Sequence, residues 1–170
     1  MTELKEYIRR SLHAGQQDDG NSRQARINFF RTKVEELYRL VDEVLLQDLR
    51  EDGLVNATYN DEDIFEDSLG RYTTRSMLVR MGSLKVELRP YGTEVIGARG
   101  RVDMWVNEND ESAMLILVPT NVDNPKIPVI NTAQDWVWKL VERKISKVSY
   151  LQLTPDVFQK KILTLASLAV

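Results

Sequence analysis

Residues 77–88 read MLVRMGSLKVEL. Met77, Val79 and Met81 alternate with Leu78 and Arg80, and Leu84, Val86 and Leu88 alternate with Lys85 and Glu87. Two residues beginning with glycine, Gly82-Ser83, lie between these runs, which is the signal for a type II′ hairpin. That turn sets Met81 opposite Leu84, Val79 opposite Val86 and Met77 opposite Leu88, so all six share one face. An antiparallel sheet is therefore expected, and the rest of the chain is read outward from this pair of strands.

Downstream, Pro90-Tyr91-Gly92 supplies a second turn with Pro at the second position and Gly at the fourth, as type I turns favour. Strands are expected near 93–97, 101–107 and 113–118, which completes a β-meander of about five strands within residues 54–118. Residues 121–131, NVDNPKIPVIN, read as a Pro-interrupted loop long enough to be a lid or a contact loop. Thr132 is expected to cap a helix running to about Lys144, with Trp136, Val137, Leu140 and Val141 as its apolar positions. SKVSYLQL reads as one more short strand. Thr154-Pro155-Asp156 then combines a cap, a first-turn proline and a first-turn acid at the start of a last helix. Its apolar side carries Phe158, Ile162, Leu165 and Ala169.

Upstream, YNDEDIFEDSLG at 59–70 reads as a solvated acidic loop. It fails the calcium-loop pattern because Phe65 takes the fifth position and no glycine takes the sixth. Before it, residues 22–52 form a long helix, with Ile27, Phe30, Val34, Leu37, Val41 and Val44 as its apolar seam. The seam implies packing on a sheet, with a homodimer through the same helix as the alternative. Residues 1–21 read as a short helix carrying Leu4, Ile8 and Leu12, followed by a flexible connection. The whole is expected to be a single α+β domain: a long N-terminal helix, the meander, and C-terminal helices packed on one sheet face.

Composition narrows the chemistry. The 170 residues carry a formal charge of −3, one histidine and no cysteine. Disulfides, thiol nucleophiles and thiolate metal sites are thereby excluded. The lone His13, in the flexible connection, argues against a Ser-His-Asp triad or a multi-histidine metal site. No cofactor or metal is implied. The N-terminal stretch has no apolar core of the signal-peptide kind and no run is long enough to span a bilayer, so the expected location is the cytoplasm.

Residues 94–106, EVIGARGRVDMWV, are the most motif-like part of the chain. Gly97-Ala98-Arg99-Gly100 resembles the Gly-x-x-Gly loop of KH domains, a likeness implying that Gly97 and Gly100 admit a phosphate backbone while Arg99 and Arg101 contact it. In that family the loop joins two helices, whereas the alternation of Val102, Met104 and Val106 here favours a strand. The order of a long helix, strands, a helix and a strand is also similar to the PD-(D/E)XK nuclease superfamily. That likeness would make Asp103 a metal ligand, with Glu35 or Glu36 approaching it. The chain departs from the pattern, since AMLILVPT holds neither the second acid nor the lysine. The nearest triplet, Glu87-Leu88-Arg89, precedes Asp103 and ends in arginine. Asp103 and Glu87 are thus weak catalytic candidates, and the leading reading of the stretch is a hairpin.

Charge distribution points elsewhere. Between Arg71 and Arg101 lie seven basic residues (Arg71, Arg75, Arg80, Lys85, Arg89, Arg99, Arg101) against Glu87 and Glu94, a local balance of +5. The hairpin register sets Arg80 across from Lys85 on the non-core face, an unfavourable pair unless an anionic group lies near. Trp105 shares a strand side with Arg101 and Asp103. The expectation is a non-catalytic interaction protein that binds an acidic protein surface through Arg80, Lys85, Arg89, Arg99, Arg101 and Trp105. The alternative is a nucleic-acid-binding or degenerate nuclease-like protein using Gly97–Asp103.

Overall fold

The computed structural model describes the backbone of residues 3–129 and 135–167, and the side chains of 3–5, 22–129 and 135–167. Helix α1 (Glu3–Leu40) leads through a π-helical turn (Val41–Leu45) into the short α2 (Gln47–Glu51). Seven strands follow: β1 (Asn56–Glu66), β2 (Gly70–Met81), β3 (Leu84–Gly92), β4 (Arg101–Val106), β5 (Ser112–Pro119), β6 (Trp136–Lys144) and β7 (Lys147–Gln152). Helix α3 (Pro155–Ser167) closes the chain. The strands form one antiparallel sheet in sequential order.

The hairpin at Gly82-Ser83 has the expected register, Met81 to Leu84, Val79 to Val86 and Met77 to Leu88. Gly82 sits at φ +59°, the left-handed value that the first central position of a II′ turn requires. The pairing stops at Met77–Leu88. In a two-residue hairpin the closely bonded pairs recur every second residue, so the next would be Arg75 with Pro90. Proline has no amide proton to give. The Arg75 carbonyl instead accepts from the Tyr38 hydroxyl of α1 at 2.5 Å. Burial, the main influence, and Glu35 next raise the Tyr38 phenol far above its ordinary value, so it remains a donor.

Where β2 leaves β3, the inward-facing residues change phase. Met77 and Val79 are buried in one half of β2, Tyr72 and Thr74 in the other, and Ser76 and Met77 are buried side by side. On the paired strand the switch falls between Tyr59, which packs at 5.9 Å on Tyr38, and the buried Ile64.

Helices α1 and α3 contribute to one core with one face of the sheet. Ile27, Phe30, Val34, Leu37 and Val41 are buried with Val79, Leu88, Met104, Leu117 and Trp138, and Phe158, Ile162 and Leu165 join them from α3. The seam extends differently from the expected one at its end. The π-turn bonds Leu46 N–H to the Val41 carbonyl at 2.9 Å, five residues back, and so rotates the following face by one position. Leu45 and Leu46 turn inward while Val44 is 46% exposed. Gly100 lies against this core, because a Cβ there would meet the Phe30 ring at 2.8 Å.

Five expectations need correction. The sheet has seven strands, not five. The acidic segment expected as a loop forms most of β1, an edge strand whose polar residues face β2 partners, as Asp63 does in accepting from the Thr73 hydroxyl at 3.0 Å. The helix expected at 132–144 is β6, leaving α3 as the only described helix after the sheet; Thr132 and Ala169 lie outside the described residues. Trp136, Trp138 and Leu140 face the main core, while Val141 joins a second cluster with Ile116, Val118 and Val122. Burial on both sides leaves no polar alternation to read. Finally, α1 runs unbroken from Glu3 where a short helix and a flexible connection were expected, and 93–97 holds only the isolated bridge Val95–Ala98.

The two sheet edges differ. At β7 the Tyr150 amide bonds to the Asp123 carbonyl of the β5–β6 connection at 2.7 Å. Buried Lys139 holds that connection by donating to the Thr120 and Val122 carbonyls, each at 2.8 Å. The opposite edge is β1, with Asp61 and Asp63 exposed and Glu62 half-buried.

Replacing Tyr38 with phenylalanine leaves the Arg75 carbonyl without its donor. Urea unfolding of Tyr38→Phe is expected to show a loss of about 1–2 kcal/mol with an unchanged m-value. An unaltered midpoint would show that the carbonyl is satisfied in another way.

Candidate interaction surface

The sheet face opposite the helices is covered unevenly. Over β5–β7 the 120–129 connection packs Val122, Ile127 and Val129 with Ile116, Val118 and Val141. Over β2–β4 the corresponding face is open. Its residues fall in cross-strand rows set by the register: Arg80 beside Lys85, Leu78 beside Glu87 and Trp105, and Arg89 beside Asp103 and Met114. Arg101 continues the face one step further along β4.

The Arg80–Lys85 juxtaposition is present, and the anionic groups near it come largely from the chain itself. Lys85 Nζ lies 2.6 Å from Glu108 and 3.4 Å from Glu87. Glu108 is delivered by the β4–β5 turn, in which Asn107 and Glu108 both take positive φ and Asn107 Oδ1 accepts from the Lys85 amide at 2.9 Å. The Glu108 hydrogen bond is the first cause raising the Lys85 ammonium, and its counterpart lowers the Glu108 carboxyl. Arg89 donates to Glu87 at 2.9 Å, and Arg101 donates to both oxygens of Asp103 at 2.8 and 3.2 Å while lying 4.1 Å over the Tyr91 ring. Arg80 is exposed and has no ion pair among the described residues. Trp105 is half-buried in the middle row, between Glu87 and Ser112.

Of the seven basic residues counted along the sequence, Arg80, Lys85, Arg89 and Arg101 lie on this face, Arg71 is exposed beyond its rows where β2 pairs only with β1, and Arg75 and Arg99 turn away from it. Arg75 turns toward α1, where its guanidinium bonds Glu35 through two nitrogens, Nε at 2.8 Å, and covers the Tyr59 ring at 4.4 Å. Arg99 was expected on the basic face. The tight turn at Gly97, with φ +76°, redirects it to lie 4.4 Å over Trp136 and 5.6 Å from the Phe29 ring of α1.

The catalytic candidates are similarly engaged. Glu87 and Asp103 each bond neighbouring cations on the open face, and Glu35 bonds Arg75. Among the described residues no group of three acids or histidines is arranged to hold a metal ion. Gly97 and Gly100 precede strand β4, whereas a KH loop joins two helices, and no helix separates β5 from β6 among the described residues. The element order similar to the nuclease superfamily is therefore not the one found.

A buried carboxylate escaped the sequence reading. Glu66, at the end of β1, is 6% exposed. Its Oε1 accepts from the Thr93 amide and hydroxyl at 2.7 and 2.8 Å and from the Glu94 amide at 2.7 Å, while Oε2 accepts from Tyr72 at 2.5 Å. Gly92 makes the approach possible, since a Cβ there would stand 2.9 Å from the carboxylate. Burial first, and Glu66 second, raise the Tyr72 phenol, which stays protonated as the donor. Glu94 in turn accepts from the Ser68 amide and hydroxyl at 3.0 and 2.6 Å. Glu66 sits among Asp61, Glu62, Asp63 and Asp67, so no local signal separates it from a solvated run.

The chain matches no family model, and neither a curated protein nor a solved structure is significantly similar to it. Among the described residues no helix is long and apolar enough to cross a membrane.

Two outcomes are expected at the Glu66 cluster. Glu66→Leu leaves the Thr93 and Glu94 amides without an acceptor and is expected to lower unfolding stability by about 2–5 kcal/mol; a variant as stable as the parent would sink this account. Ser68 holds the Glu94 carboxyl below the ordinary range. Its contribution is present above the unfolded value and is lost as pH falls through the lower folded value. Ser68→Ala should therefore flatten the acid limb of a stability–pH profile, and an identical limb would contradict the assignment.

Proposed function

We propose that this protein is a non-catalytic interaction module of the cytoplasm, and that the open face of β2–β4 receives an acidic protein surface. The observation carrying this reading is Trp105, a half-buried indole on an otherwise uncovered sheet face, with Arg80, Lys85, Arg89 and Arg101 around it. Tryptophan and arginine supply much of the binding energy at protein interfaces when they are desolvated together. The ion pairs to Glu87, Asp103 and Glu108 fix the orientation of the cations before a partner arrives. Arg80 has no such pair among the described residues and presents its charge outward. A partner with an apolar centre over Leu78, Trp105 and Met114 and carboxylates opposite Arg80 and Arg89 meets these features.

A photoreactive phenylalanine analogue in place of Trp105, irradiated in the source cells, is expected to give a discrete protein adduct. The adduct should disappear in the Arg80→Glu, Arg89→Glu background and persist when the analogue is placed at Trp105 beside a control Lys160→Glu change. Adducts indifferent to the arginine substitutions would reject this surface. Short DNA and RNA tested by fluorescence anisotropy at low salt should not bind. Binding that weakens steeply with added salt, as counterion release demands, would replace the protein partner with a nucleic acid.

A further inference from the structure

Strand β1 ends the sheet with a backbone edge on which no described strand lies. The register decides which residues present that edge. β2 bonds to β3 through Met77, Val79 and Met81, so Ser76, Leu78 and Arg80 turn their backbone groups to β1. Their partners Asn60, Thr58 and Asn56 are thereby used, and the ladder runs without a register shift to Glu66. Tyr59, Asp61, Asp63 and Phe65 therefore aim their amides and carbonyls outward. No hydrogen bond among the described residues takes those groups.

The side chains along this edge carry a definite chemistry. Ile64 and Glu66 are buried, so Asp63 and Phe65 point to the other side of the strand, and Asp61 extends their row. Phe65 is 67% exposed. Asp61, Glu62 and Asp63 form no ion pair among the described residues. Arg75, across the ladder from Asp61, bonds Glu35 instead, and Arg71 stands across from Phe65, beyond the acids. Unlike the face around Trp105, this border keeps its charge uncompensated.

We propose that β1 accepts, as an added strand, an extended segment of a partner protein with Lys or Arg at two alternate positions and a large apolar residue at the next. The outward amides and carbonyls supply the main-chain bonds, and alternate side chains supply the selectivity, as in other strand additions. Opposed side chains on paired strands stand about 5 Å apart. The two cations then meet Asp61 and Asp63, and the apolar residue meets the Phe65 ring. The edge uses no residue of the open face of β2–β4, so the two surfaces stand or fall separately.

The probe is a threonine- and valine-rich peptide with lysine at two alternate positions and leucine at the next, titrated into the isotope-labelled full chain and followed by NMR. The amides of Tyr59, Asp61, Asp63 and Phe65 should become protected from solvent exchange. Those of Asn60, Glu62 and Ile64, already bonded to β2, should keep their exchange rates. The same peptide methylated on the amides that face β1 should not bind. Reversing both charges, Asp61→Lys with Asp63→Lys, should weaken the lysine peptide at least about tenfold and admit a glutamate version in its place. Both positions are exposed, so the thermal midpoint should be kept; the methylated peptide needs no variant and decides the matter even if the reversal unfolds the chain. No binding by the parent, equal binding of the methylated peptide, or parent binding of the glutamate peptide as tight as that of the lysine one would overturn the proposal. Protection of the same amides in concentrated protein without peptide would assign the edge to a second copy and overturn it as well.

Discussion

Pro90 has no amide proton, so the β2–β3 ladder cannot continue past Met77–Leu88, and the consequences reach every layer of the molecule. The Arg75 carbonyl takes its hydrogen bond from Tyr38, which ties the middle of α1 to the point where the strands part. Beyond that point the β1–β2 hairpin is free to present its other side inward. Tyr72 meets Phe30 at 6.4 Å in an edge-on contact, and Glu66 reaches Thr93 and Glu94 in the β3–β4 connection. A sheet that stayed fully paired would have turned Glu66 and Tyr72 outward, away from α1.

The buried carboxylate then organises what surrounds it. By accepting from two successive amides, Glu66 holds the start of the Thr93–Gly100 segment, and Gly100 seats the other end against Phe30. Arg99 is delivered over Trp136 in consequence, and Thr93 is left with its hydroxyl oxygen facing Arg26. Arginines 99 and 101, two residues apart, thereby serve opposite sides of the sheet.

The parts legible in the sequence were those decided by near neighbours. Residues 77–88 carry both their alternation and their turn, and Thr154 caps α3 through the Val157 amide at 3.2 Å as its spacing suggested. Strand β6 resembles a helix in sequence because its two buried faces erase the polar alternation, and Trp136, Val137, Leu140 and Val141 satisfy helical spacing equally well. Strand β1 resembles a loop in sequence because an edge strand tolerates the polarity of one. On the open face, the shared side of Arg101, Asp103 and Trp105 was readable from strand period alone. Their neutralisation was not, since Glu108 reaches Lys85 only through the backbone of the Asn107–Glu108 turn. Arg26, Glu66 and Thr93 come together across dozens of residues with no local mark.

The outer border of β1 has its own consequence. A strand of 11 residues at the end of a sheet offers unpaired amides and carbonyls on which a second chain could add. Here the strand carries Asp61, Glu62 and Asp63 in succession, so two copies brought side by side would oppose like charges along the very register that pairing requires. At the other border, Lys139 and the Tyr150 amide keep the β5–β6 connection folded over β7. One end of the sheet is thus guarded by electrostatic repulsion and the other by a physical cover, and sheet-to-sheet polymerisation is disfavoured at both.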